Sequence, residues 1–174
     1  MQPCTISQKI DRPISVVFDY LSDVANYSEF TEHFLAEWRM TREETFGLGA
    51  GGRFREDLPF SRFGWGDMAI VEYAEPRLIV LAGRSGKYNR IRTLTVLQLS
   101  DDGNGGTELE LTTETRPVLP SDKFLEAIAQ NRARKRGWRK SLKRLSRILE
   151  HNRDRGRRAT IAGGARKPAT GLRA

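Results

Sequence analysis

Between residues 35 and 116 the chain alternates apolar and polar side chains with period two, in six stretches whose connections are short. A parallel crossover needs a dozen or more residues, so these stretches can pair only as sequential antiparallel neighbours. They are read at 35–42, 52–58, 65–73, 77–83, 88–99 and 107–116. In the first, Ala36, Trp38 and Met40 are expected on one face, opposite Glu37, Arg39 and Thr41. The last two are joined by DDGNGG, a strong hairpin signal. The glycines of FGLGAGG, residues 46–52, mark a turn or bulged corner; the run lacks a GK[ST] ending and no helix follows it, so it is no phosphate loop.

Helical elements flank this sheet. Cys4, Ile6, Gln8 and Ile10 alternate as a first strand. Pro13 suits the first turn of a helix, and Ile14, Val17, Phe18 and Leu21 form its apolar stripe. Asp23 can cap a second short helix over residues 24–31, which carries Tyr27 and Phe30. Past Pro117 and Pro120, Ser121 or Asp122 can cap a long helix. Its apolar face starts with Phe124, Leu125 and Ile128 and resumes with Trp138, Leu142, Leu145 and Leu149. Gly137 lies within it and makes a bend plausible. The helix has to cover the concave face of the sheet, because no other element remains to do so.

Charge divides the chain. Residues 1–120 hold 13 Lys/Arg against 18 Asp/Glu, residues 121–151 hold 10 against 3, and residues 152–174 hold 7 against 1. An acidic body is thus joined to a basic helix and a basic end. The last segment shows no apolar periodicity and reads as a disordered tail able to make weak contact with a polyanion. The basic helix is read chiefly as an amphipathic helix with a solvated back. No stretch approaches the roughly 20 apolar residues of a membrane span. MQPCTISQKIDRP shows no secretory pattern, and the lone Cys4 excludes an internal disulfide. A cytoplasmic protein without metal or cofactor is expected, in an oligomeric state that the sequence leaves open.

Several segments resemble the START/Bet v1 superfamily, in particular its polyketide cyclase/dehydrase-like and lipid-transport branch. They are IDRPISVVFDYLSDVANYSEF, the turn GLGAGG before a short strand, IVEYAEPRLIV and the terminal KSLKRLSRILE. The resemblance spans about residues 3–151. It implies an α+β helix-grip fold, a curved antiparallel sheet wrapped around a long C-terminal helix with two short helices after the first strand. It therefore implies a domain over 1–151 and a tail over 152–174. It also implies a cavity between sheet and helix for a small hydrophobic molecule. Trp38, Met40, Phe54, Trp65, Met68, Phe124, Ile128 and Trp138 are the candidate lining, since rings and thioethers suit flat apolar ligands. The same residues can instead fill an ordinary core.

Catalysis requires a positioned acid, base or nucleophile. Glu56 shares parity with Phe54, yet EDLP lies at a strand end and reads more simply as an exposed edge. Arg53 and Arg84 can meet an anionic head group but read as residues of a wet face. Ser61, Ser85 and Cys4 have no His or Asp at triad spacing, and His33 and His151 lie in no metal-binding pattern. The reading is a ligand-binding module without a visible catalytic constellation. Two alternatives stand beside it: an aromatase/cyclase-type enzyme using the same cavity, and an interaction protein whose basic C-terminal segment contacts RNA, ribosome or anionic membrane.

Overall fold

The computed structural model describes residues 3–57, 59, 64–117 and 130–161. In chain order the elements are β1 (Cys4–Ile10), α1 (Ile14–Ser22), a 3-10 turn (Val24–Asn26), α2 (Tyr27–Thr31), β2 (Leu35–Met40), β3 (Gly51–Glu56), β4 (Trp65–Ala74), β5 (Leu78–Ser85), a second 3-10 turn (Lys87–Asn89), β6 (Ile91–Asp101), β7 (Thr107–Pro117) and α3 (Asn131–His151). The seven strands form one antiparallel sheet in the order β1-β7-β6-β5-β4-β3-β2. Consecutive strands neighbour one another, and the first strand closes against the last. The antiparallel order is the one expected from the short connections, and with α3 it makes the helix-grip fold that the resemblance implied.

Local chemistry fixes the joints. The Asp23 carboxylate accepts the Ala25 N–H at 3.1 Å and starts the turn before α2. In the DDGNGG turn Asp102 accepts the N–H groups of Asn104 and Gly106, each at 2.9 Å. These donors hold its carboxyl below the usual range.

Two expectations of face and shape differ in detail. Ala36 does not share a face with Trp38: β2 carries a bulge between Ala36 and Arg39, with Glu37 at φ 53°, so Leu35, Trp38 and Met40 point inward. At Gly137, α3 runs on without interruption. A side chain there would place its Cβ 2.6 Å from the Phe34 ring, so the glycine serves close approach of α3 to that ring.

The core lies between the sheet and α3, closed at one end by α1 and α2. Leu142, Leu145 and Ile148 of α3 are buried with Ile6, Ile10, Leu97, Leu109 and Leu111 of the sheet and with Val17, Phe18 and Leu21 of α1. Each fully buried aliphatic side chain contributes about 1.5–3 kcal/mol, so this seam fixes the helix on the sheet.

Residues 152–161 differ from the expected structureless tail. After α3 the chain turns back as a strap along α2 and reaches the edge of β2. The Gly156 N–H donates to Glu29 O at 3.0 Å, Ala159 N–H to Ala25 O at 3.0 Å, and Met40 N–H to Thr160 O at 3.0 Å. Arg155 pairs with Glu29 at 2.7 Å, Arg158 pairs with Asp23, and Arg147 of α3 holds Asp154 at 2.7 Å. The strap has almost no apolar periodicity because acids of the body and backbone hydrogen bonds hold it. Ala159 is its one buried hydrophobic residue. Residues 162–174 lie outside the described residues.

Candidate functional site

The inner face of the sheet has two chemistries, readable from its register. Toward α1 it is aliphatic: Ile79, Leu97, Leu111 and Ile6 follow one another across β5, β6, β7 and β1. Toward the start of α3 it turns to small and hydroxyl-bearing residues. Met68, Gly83, Thr93 and Thr115 form one row across β4 to β7, with Thr95 and Thr113 beside it. The Thr95 and Thr113 hydroxyls meet at 3.3 Å, and both residues are buried, as is Thr115. Ser85 is 2% exposed, and its hydroxyl finds no hydrogen-bond partner among the described residues. Gly83 lets β4 come close here, since a Cβ would fall 1.9 Å from Asp67 O.

A buried ion pair stands at the same end. Arg134, on the first turns of α3, reaches Glu56 at the end of β3 at 3.4 Å, and their side chains are only 6% and 11% exposed. Glu56 is therefore not the exposed edge residue that EDLP suggests, because its parity with Phe54 turns it inward. The basic helix likewise does not carry all its cations on a solvated back. Taking two charges out of water costs several kcal/mol per ion before their attraction is counted.

A second polar cluster lies outside this end. Glu29, 4% exposed, accepts the Tyr20 hydroxyl at 2.6 Å and the Arg155 guanidinium at 2.7 Å. Burial, and then the hydrogen bond to Glu29, push the Tyr20 phenol well above its ordinary pKa. Under α3, His33 Nε2 lies 3.2 Å from Gly137 O, which makes that nitrogen the donor, and burial lowers the imidazole pKa.

The structure sorts the expected lining into three places. Trp38 and Phe54 pack as tilted rings with centres 4.8 Å apart, with Met40 and Met68 buried on the same inner side. Trp38 also donates its indole N–H to Thr31 Oγ1 at 3.0 Å. Trp138 sits apart from this pair, edge-on to Phe34 at 5.3 Å. Trp65 lies on the outer face, beneath the Arg53 guanidinium at 5.1 Å, because it differs in parity from Gly66 and Met68. Phe124 and Ile128 lie outside the described residues. The threonine rows and Arg134 escaped the sequence reading, and Ser85 was weighed there only as a nucleophile. Their signal was present: Thr93, Thr95, Thr113 and Thr115 occupy the parity that Leu97, Leu99, Leu109 and Leu111 hold farther along the same strands.

Among the described residues no group of His, Cys, Asp and Glu is placed to hold a metal ion, and no helix is long and apolar enough to cross a membrane. Solved structures share the fold. The protein CV1439 of Chromobacterium violaceum is 15% identical, with a TM-score of 0.61 over 85% of this chain and 96% of its own. The KanY protein, 13% identical, reaches a TM-score of 0.68 over 86% and 97%. Ara h 8.0201, 11% identical, aligns with a TM-score of 0.58 over 86% and 97%, in line with the Bet v1-like helix grip. No curated protein matches the sequence. The family described as activator of Hsp90 ATPase homolog 1-like protein matches residues 11–150. With that span covering most of its length, the chain belongs to the AHSA1-like family of the START/Bet v1-like superfamily.

Proposed function

We propose that the inner end of the sheet beneath the start of α3 binds a small, mainly apolar molecule that carries an oxygen-bearing polar group. One observation carries this reading: the inner face changes from leucines to threonines and Ser85 where the Arg134–Glu56 pair is buried. A face meant only for packing gains nothing from buried hydroxyls, which cost free energy unless hydrogen-bonded. Phe54 and Met68 supply the apolar wall, Thr93, Thr95, Thr113, Thr115 and Ser85 supply donors and acceptors, and Arg134 offers a cation to an acidic ligand group. Such a mix of apolar wall and few polar groups is what small-molecule sites use for affinity and orientation.

The reading is of binding rather than catalysis, because Glu56, the one buried carboxylate at this end among the described residues, is engaged by Arg134. A cytoplasmic carrier or sensor of such a molecule, built on the helix-grip body together with its strap, is the form proposed.

The test uses 8-anilinonaphthalene-1-sulfonate, a flat apolar probe with one anionic group. The purified chain should enhance its fluorescence saturably under native conditions. Thr113→Trp, which fills the space, should abolish this, while an Arg84→Gln change on the outer face should not. Thr113→Trp should keep the far-UV circular dichroism and the cooperative thermal unfolding of the parent, which checks that the site is not lost through unfolding. Failure of the native protein to bind, or equal binding by Thr113→Trp, would overturn the proposal.

A further inference from the structure

The outer face of the sheet carries a feature independent of the interior. Arg39 pairs in register with Arg53, Arg53 with Asp67, Asp67 with Arg84, Arg84 with Arg92, and Arg92 with Arg116. One transverse row across six strands, β2 to β7, therefore holds five arginines and a single acid. All five arginines are exposed. At about 4.8 Å per strand the row spans roughly 24 Å.

Like charges directly opposite one another destabilise a sheet, so this row needs a reason beyond the fold. The protein offsets it only in part. Asp67 sits between two of the arginines and accepts the backbone N–H of Arg84 at 3.0 Å. Arg53 lies over Trp65, and Arg116 pairs with Glu114 at 2.8 Å. Among the described residues no acceptor lies on the guanidinium of Arg39, Arg84 or Arg92. An open groove of about 550 Å³ runs over Arg84, Arg92 and Arg116, with Asp67 and Glu114 also on its wall and Ala82 and the exposed Leu94 along its floor. Farther along the same face the charge reverses, where Glu108 and Glu110 flank a separate groove. Lys9 lies opposite Glu108 and Arg55 pairs with Glu37, so outside the row the cations of this face meet acids.

We propose that this row docks single-stranded nucleic acid. Arginine is the residue suited to this, since its planar fork grips phosphate oxygens in pairs and its face stacks on bases. The partner must be linear, polyanionic and able to bend, because the row follows the convex side of a curved sheet. A flat bilayer meets such a curve at only part of its length. Leu94 and Ala82 give a base an apolar floor between the phosphate contacts, in the manner of strand-binding grooves. On α3, Arg144 and Arg147 are paired with Glu32 and Asp154, while Arg139, Lys140 and Lys143 stand exposed along the helix and serve as the comparison surface.

The experiment is fluorescence anisotropy of the full chain with a fluorescein-labelled 15-mer of oligo(U), repeated between 50 and 200 mM salt. Arg39→Gln/Arg84→Gln/Arg92→Gln should bind about tenfold or more weakly. The slope of log K against log salt should fall by about 2, since each lost phosphate contact on a single strand contributes about 0.7. Asp67→Asn should bind more tightly, because it removes the acid while its side-chain oxygen can still accept the Arg84 N–H. The triple lysine variant should keep most of the salt slope, and Arg139→Gln/Lys143→Gln on α3 should stay within twofold of the parent. The proposal is overturned if the triple glutamine variant binds as the parent does, or if the parent fails to bind at 50 mM salt. Stronger retention on phosphatidylserine vesicles than on the oligonucleotide would reassign the row to a membrane. Equal displacement by polyglutamate would reassign it to an acidic protein segment.

Discussion

Arg155→Ala isolates what the strap contributes. Glu29 is buried and has two charged or polar partners, the Tyr20 hydroxyl at 2.6 Å and Arg155 at 2.7 Å. Removing the guanidinium leaves a carboxylate with one neutral donor in a site 6% exposed. Breaking a fully buried pair costs about 3–5 kcal/mol. Here the Arg155 side chain is 41% exposed, so water can enter the vacated space and offset part of that loss. The charged hydrogen-bond scale, about 1.5–3 kcal/mol, is therefore the better measure. For a chain of this length that lowers the midpoint by about 3–12 °C. Urea and thermal unfolding followed by tryptophan emission would read it, since Trp38 and Trp138 are both buried. Glu29→Gln should recover much of the loss when combined with Arg155→Ala, because the amide oxygen still accepts from Tyr20 and no charge is stranded. A loss under about 0.5 kcal/mol, the range of ordinary surface changes, would show that the strap rests on the body without supporting it. So would strict additivity of the two substitutions.

Further substitutions test the faces of α3. Leu142 is fully buried, so Leu142→Ala should cost about 2–5 kcal/mol, whereas Arg139→Gln on the exposed side should cost well under 1 kcal/mol by the same denaturant titration. Gly137→Ala should invert the usual helix preference: alanine normally gains about 1 kcal/mol over glycine, but contact with Phe34 should make the variant less stable by about 1–3 kcal/mol. A stabilised Gly137→Ala protein would show that Phe34 yields freely and that α3 does not need the close approach.

The sheet was legible because its signal is redundant. Period-two alternation, the DDGNGG turn and the short connections all demand the same antiparallel order, and the stripe Trp138, Leu142, Leu145 places the helix without reference to anything distant. Single residues whose meaning depends on another part of the chain were not legible. The αL geometry of Glu37 moves Ala36 to the other face, and no local propensity announces a bulge at a glutamate. Glu56 reads as a strand-end charge until Arg134, far along the chain, is brought against it. The strap has no hydrophobic pattern because its partners, Asp23 and Glu29, belong to a different element. The split in charge was visible; that part of it is spent on intramolecular pairing required the fold. Thr93, Thr95, Thr113 and Thr115 stood on the core-facing parity throughout, but threonine is so common in strands that their grouping becomes informative only once the register is known.

The contact between Thr160 and β2 bears on how this protein behaves in a crowded solution. A sheet that ends on a strand with unpaired N–H and C=O groups offers a template to any other extended chain, and natural sheets blunt such edges. Here β2 is an edge strand, and its exposed side is partly occupied: Met40 donates to Thr160, Arg39 and Thr160 form a parallel bridge, and the bulge at Glu37 breaks the regular spacing beside them. The strap thus works as a built-in edge guard. Proteolytic trimming past α3 would expose an adhesive margin as well as loosen Glu29, and a shortened chain would be prone to pair with its own copies even where its core remained intact.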